Sequence, residues 1–376
     1  MSDRVHLDVE TYSESDLKKE GAYRYAEHPS TELLVLCYAF DSGPVQTWWP
    51  HEDPFVPDDL RQHVESGGLV CAHNAQFERV ILNGVAGQKV GFPTLRIAQM
   101  RCTAAKAAAH GLPRALADAT EALGTHRKQT DGVASMRALS RPRTGKEKRY
   151  TPENSPEKFV QLGEYCANDV EAERGLDKAI PDLSSTEQRV YELDQVINDR
   201  GIGVDLQAVA DAQALIAEYK AEMAAECLAA TGVNPTQREK IADWVRANGY
   251  PRLPDLQAET VKLAVRDPAC PEKVARVLRL YSTYGAKAAS KYEAIERMVC
   301  ADGRLHGMFL YHGAGTGRWA SLGVQLQNLF RPVIDDPDVA IDCFATRDLD
   351  WLRALYPETD PMKVIGSCIR GMLVAA

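Results

Sequence analysis

The chain has 376 residues, enough for two or three domains, and 45% of them are hydrophobic, enough to bury cores. No apolar run of about 18 residues marks a membrane span and the polar N-terminus carries no apolar signal segment, so the expected location is the cytoplasm. A formal charge of −9 argues against a general nucleic-acid coat, and nine cysteines without a CxxC pair fit reduced, packed thiols rather than zinc sites or disulfides.

In chain order, Val5–Glu10 and Leu33–Phe40 read as strands and Leu69–Ala72 as a buried one. Helices are predicted near Asp58–Glu65, Ala75–Leu82 and Arg114–Leu123, with Asn74 at a natural N-cap position. This mixture reads as an α/β layer domain running to about residue 183. Between Arg127 and Pro156 the pattern dissolves into Arg, Lys, Ser, Pro and Gly, the composition of a long functional or mobile loop.

Ser184-Ser185-Thr186-Glu187 is a capping-box sequence followed by Val190, Leu193 and Ile197 at helical spacing, and a domain boundary is placed there. Asp205 caps a long helix with the stripe Val209, Ala212, Ile216, Tyr219, Met223 and Cys227, ending at Gly232. Further helices run from Pro235 to near Gly249 and from Pro271, with an interruption at Gly285, to about Cys300. Residues 184–300 are therefore a helical unit. From Asp302 onward glycines, aromatics and short apolar runs return, and Met372–Ala376 resembles the approach to a strand.

The chemistry-bearing residues lie at the two ends of the first domain. Asp8 and Glu10 point to one side of a strand, and Tyr165 and Asp169, at i and i+4, share a helix face. Phosphodiester hydrolysis with two metal ions needs such a cluster, and hard oxygen ligands favour Mg²⁺ or Mn²⁺ over zinc. Each pair alone also reads blandly, as solvated carboxylates on a strand or an ordinary amphipathic helix. Glu78 either adds a site for metal or metal-bound water, or is an exposed first-turn acid facing the helix dipole.

Asp8-Val9-Glu10-Thr11, His73-Asn74-Ala75-Gln76-Phe77-Glu78 and Tyr165-Cys166-Ala167-Asn168-Asp169 resemble, in order, the three motifs of the DEDDy 3′–5′ exonucleases. The resemblance implies an RNase H-like fold and removal of nucleotides from a 3′ end. It makes Asp8, Glu10, Glu78, Tyr165 and Asp169 the catalytic set, with Asp8, Glu10 and Asp169 as ligands of two Mg²⁺ or Mn²⁺ ions. Tyr165 orients the attacking water, and Thr11, Asn74 and Phe77 join the substrate site. Family members usually carry Asp where this chain has Glu78.

A second resemblance lies downstream. Asp302–Gly307, Gly315-Thr316-Gly317-Arg318-Trp319 and Gln325–Leu329 look like the primer-template-binding region of family A DNA polymerases of phage type, and Ala286–Tyr292 resembles the tip of their thumb. This implies DNA contacts by Lys287, Lys291, Thr316, Arg318, Gln327 and Asn328. The local charge agrees: Lys273–Pro332 holds nine Lys or Arg against three Asp or Glu, suiting phosphate contacts. The same stretch also reads as a solvated helix face. Gly315 and Gly317 allow close backbone approach, and Arg318 offers a planar donor fork. Trp319 is read as a packing residue. Arg127–Arg149, with eight basic and two acidic residues, either guides single-stranded DNA or is a soluble loop.

The expected architecture is thus an α/β RNase H-like exonuclease domain (1–183), a mostly helical thumb (184–300) and an incomplete α+β palm fragment (301–376). In relatives, the strand bearing the first palm aspartate follows shortly after the point where this sequence stops. Asp335, Asp336 and Asp338 do not match that motif. Three explanations stand: half of a split polymerase completed by a second chain, a truncated product, or an artificial fragment. The reading is a proofreading exonuclease acting on single-stranded 3′ ends and primer-template DNA, unable to polymerise alone. The rivals are a non-catalytic DNA-binding subunit and an RNA-processing exonuclease.

Overall fold

A computed structural model describes residues 4–125, 132–144 and 149–375, which form two compact units. Unit 1 comprises Met1–Gly201 and Arg297–Gln327, and unit 2 comprises Ile202–Glu296 and Asn328–Ala376.

Unit 1 is organised by β1 (Arg4–Tyr12), where Val5, Leu7 and Val9 alternate with Arg4, His6, Asp8 and Glu10. A strand with this alternation presents its apolar residues to one face and its ionisable ones to the other. After α1 (Leu17–Glu27) come β2 (Glu32–Phe40), β3 (Gln46–Trp48), α2 (Asp58–Glu65) and β4 (Leu69–Ala72). Then follow α3 (Gln76–Asn83), α4 (Val85–Lys89), β5 (Met100–Cys102), α5 (Thr103–Ala109) and α6 (Leu116–Leu123). The sheet order is β3-β2-β1-β4-β5, with β2 antiparallel to both neighbours and β4 parallel to β1 and β5. Val5, Leu7 and Val9 join Leu36, Tyr38, Leu60, Val70 and Ile81 in one core.

The opposite face is covered by α8 (Pro156–Ala179), which follows α7 (Val133–Leu139). Leu162, Cys166 and Val170 of α8 pack with Val35, Cys37 and Ala39 of β2. The Cys166 thiol also reaches the Asp8 carbonyl at 3.4 Å. The helix α7 corrects the expectation of an unbroken loop from Arg127 to Pro156; Leu139 is buried and supplies the apolar contact that a seven-residue helix requires. The rest of that basic loop lies partly outside the described residues.

The chain continues through α9 (Ser185–Arg200) into unit 2 with β6 (Ile202–Val204) and α10 (Leu206–Thr231). The Ser184 hydroxyl accepts from the Glu187 N–H, as the capping sequence anticipates. Val190, Leu193 and Ile197 lie on α9 as their helical spacing predicts, and Val190 packs against the core. Leu193 is 53% exposed, and the buried residues are Tyr191, Asp194, Gln195 and Asn198. In α10 the expected stripe is inward, Asp205 caps the start and Gly232 ends the helix in the left-handed conformation.

The remaining helices of this stretch are α11 (Arg238–Ala247), α12 (Ala258–Arg266), α13 (Glu272–Tyr284) and α14 (Lys287–Met298). The chain then forms β7 (Arg304–Leu305) and the hairpin β8 (Phe309–Leu310) and β9 (Ala320–Ser321) in unit 1. It closes in unit 2 with α15 (Pro337–Phe344), α16 (Leu349–Leu355), α17 (Pro361–Cys368) and β10 (Leu373–Val374), which pairs antiparallel with β6. Among the described residues no helix is long and apolar enough to cross a membrane.

Leu162 is fully buried where α8 meets the sheet. Leu162→Ala should therefore cost about 2–5 kcal/mol in denaturant unfolding, by lost transfer energy and an unfilled cavity.

Candidate functional site

On α8, Tyr165, Asp169, Glu173 and Asp177 recur every four residues and all are buried. Two strand residues rise about 6.8 Å and four helical residues about 6 Å. The helix face therefore keeps step with Arg4, His6, Asp8 and Glu10 of β1 over several rungs. Arg4 Nη1 meets Asp177 Oδ2 at 3.1 Å, and His6 Nδ1 meets Glu173 Oε2 at 2.7 Å. The next rung brings acids together: ligand oxygens of Asp8, Glu10 and Asp169 lie within 4.8 Å of one another.

Glu78 comes to the same place from the first turn of α3. It is 3% exposed, so it is not the solvated acid of the alternative reading. Burial, followed by the Asp8 carboxylate, pushes its pKa well above the ordinary carboxylate range. Its Oε2 has no hydrogen-bond partner among the described residues. A buried acid facing further acids is costly unless a cation balances it, and an all-oxygen donor set suits Mg²⁺ or Mn²⁺. Asn74 does not cap α3. Its φ of +73° places it in the left-handed region, and α3 starts after Ala75 without a side-chain cap.

A second grouping, His6, Cys71 and Asp177, also has ligand atoms within 4.8 Å. Its acid already has basic partners. Asp177 Oδ1 receives Lys106 Nζ at 2.7 Å, Oδ2 receives Arg4, and Glu173 holds His6. The Cys71 thiol is pushed upward by burial, away from the thiolate a soft metal would need.

Thr11 is buried, with Oγ1 2.8 Å from the Tyr25 hydroxyl, Phe77 packs against the same core, and Asn74 is exposed. Gly132 lies against Tyr165: a Cβ there would fall 2.4 Å from the Tyr165 Cβ, so glycine is required at this approach. Nothing in the composition of the basic loop signalled that position.

Thr316 and Arg318 are exposed in the turn between β8 and β9, where Gly317 adopts φ +77° and Ala314 N–H donates to the Arg318 carbonyl at 3.1 Å. Trp319 is more than packing, because its indole N–H donates to Asp194 Oδ1 at 2.7 Å. Asp194 also accepts from Gln195 and Asn198, and Asn198 brackets Phe309 through its carbonyl at 3.0 Å and its N–H at 3.0 Å. Gln327 ends unit 1, and its N–H donates to Ser321 Oγ at 3.1 Å.

In unit 2, Lys291 is half-buried and Asn328 exposed, and the Lys287 side chain lies outside what is described. Several basic residues of the expected stretch have protein partners: Arg276 pairs with Glu226, Arg279 with Glu272, and Lys273 with Asn248. Arg279 and Arg331 nevertheless line a cavity of about 530 Å³ floored by Phe330, Val333 and Met362. Lys363, outside the basic stretch, lines it too.

No family model matches the chain. It is 34% identical over 363 residues to a DNA polymerase of Bacillus phage SP02, covering 94% of this chain and 55% of that protein. The chain thus spans about half the length of this relative. Among solved structures it resembles the polymerase domain of Pol1 from M. smegmatis, determined in complex with DNA primer-template and dNTP. That likeness has a TM-score of 0.51 at 16% identity over 92% of this chain and 54% of the other, and it shows a shared fold.

Mn²⁺ at about 100 times its Kd should stabilise the native protein by about 2.7 kcal/mol. The resulting rise in Tm should vanish in Asp169→Asn and persist in Cys71→Ser, read by calorimetry. A separate outcome concerns Asp194, whose pKa burial pushes up to about 6. A carboxyl held above its unfolded value stabilises the fold fully at low pH and loses that contribution as pH rises through about 6. Asp194→Asn should flatten the fall in stability between about pH 4 and 6, measured by denaturation across that range.

Proposed function

We propose that this chain carries the 3′–5′ exonuclease of a family A DNA polymerase together with part of its primer-template-binding region. The observation that carries the reading is the meeting of Asp8, Glu10 and Asp169, with Glu78 beside them and Tyr165 one turn away on α8. The mixed sheet order supports an RNase H-like assignment for residues 1–183, and similarity to the phage polymerase supports a role in DNA replication. Residues 184–300 would be the thumb and 301–376 part of the palm.

Asp8, Glu10 and Asp169 would hold two Mg²⁺ or Mn²⁺ ions. Such ions, when bound, supply an activated water and neutralise charge on the phosphate. Tyr165 orients the water, held in place by α8 and by the close approach of Gly132. Thr11, Asn74 and Phe77 line the place of the terminal nucleotide, released as a monophosphate from a frayed 3′ end. Arg318 and Thr316, with Gln327, Asn328, Lys287 and Lys291, contact the duplex, chiefly through phosphates that position it without reading sequence.

The test is digestion of a 5′-labelled single-stranded DNA with Mg²⁺, comparing the native chain with Asp8→Ala and Asp169→Ala. A ladder shortening from the 3′ end, lost in both variants by at least about 100-fold, is the expected outcome. No ladder from folded native protein would replace this reading by a DNA-binding role without hydrolysis.

A further inference from the structure

One residue joins the two DNA-facing regions of unit 1. Arg114 lies just before α6, and its carbonyl accepts from His73 Nε2 at 2.7 Å. His73 belongs to the turn that delivers Glu78, and its Nδ1 is 3.1 Å from Thr103 Oγ1. A carbonyl only accepts, so the His73 proton sits on Nε2 in this arrangement. On its other side, Arg114 Nη1 donates to the Tyr311 carbonyl at 2.8 Å, at the base of the Thr316–Arg318 turn. Tyr311 is also held by its hydroxyl, which donates to Glu187 at 2.7 Å, and the far strand is held by Trp319 on Asp194.

We propose that Arg114 is a positioning residue that fastens the Thr316–Arg318 turn to the nuclease turn, so that one DNA engages Arg318 and the carboxylate cluster in fixed register. This rests on the DNA-binding reading above. The division of labour within the residue is specific: the main chain serves the nuclease side and the guanidinium serves the hairpin. Arg114→Ala therefore leaves the His73 contact intact and releases only the hairpin. Losing the contact to the Tyr311 carbonyl loosens this end of the turn, beside the buried Tyr311 ring, so that Arg318 samples positions unsuited to the duplex.

The experiment has two arms with the full chain. Affinity for a fluorescent primer-template duplex is measured by anisotropy in EDTA, which needs no nuclease activity. Hydrolysis of a single-stranded trinucleotide with Mn²⁺, which offers the hairpin no duplex to bind, reports the carboxylates. Arg114→Ala should weaken duplex binding about fivefold or more, a typical coupling between linked sites, and leave trinucleotide kcat and KM within about twofold. Arg114→Lys, which keeps a donor, should recover part of the affinity, and Trp319→Phe should reproduce the loss from the other strand of the hairpin. Unchanged duplex affinity in Arg114→Ala, or equal loss in both arms, overturns the proposal. If native protein binds the duplex but leaves the trinucleotide intact, the nuclease reading fails while the anisotropy arm still decides the role of Arg114.

Discussion

The rest of the site depends on the near match between two repeats, the two-residue step of β1 and the four-residue step of α8. Because about 6.8 Å of strand faces about 6 Å of helix, each rung sets one β1 side chain against one α8 side chain. The apolar spacing of Leu162, Cys166 and Val170 fixes the helix at that height. A shift of one residue in β1 would turn Val5, Leu7 and Val9 toward α8 and remove the ionisable face altogether.

Along this ladder the chemistry changes sign. Arg4 with Asp177 and Lys106, and His6 with Glu173, are rungs in which each acid meets a basic group, while burial still holds the Glu173 carboxyl above its ordinary range. The Asp8, Glu10 and Asp169 rung, approached by Glu78, sets acids against acids instead. A divalent cation bound there would convert that repulsive rung into an attractive one. The paired rungs act as the rigid support that holds the acidic rung in place. A different solution fixes the β8–β9 hairpin: beside the Tyr191–Tyr311 ring contact, α9 holds it by hydrogen bonds to Glu187, Asp194 and Asn198. Such bonds tolerate less sliding than apolar contact does.

The acidic rung was legible in the sequence because it rests on two local periods, Asp8 with Glu10 and Tyr165 with Asp169. The inward stripe and caps of α10 were legible for the same reason. What was not legible depends on partners remote in sequence. Asp194 and Asn198 of α9 are buried because Trp319 and Phe309 satisfy them from more than a hundred residues away, which apolar periodicity does not register. Arg79 is similar: it follows Glu78 and is buried only because Asp199 accepts both its terminal nitrogens at 2.7 Å. Asn74 looked like a cap because its type suits caps, yet that type equally suits the left-handed turn it occupies. The helices α7 and α12 are short and escaped notice between turn-forming residues.

The most direct measurement is anomalous scattering from crystals of the native chain soaked in Mn²⁺. Peaks against Asp8, Glu10 and Asp169, with none beside His6, Cys71 and Asp177, are the expected result. A peak at the paired rungs, or an empty acidic rung at saturating Mn²⁺ in an otherwise ordered unit 1, would contradict the assignment of the charge reversal as the metal centre.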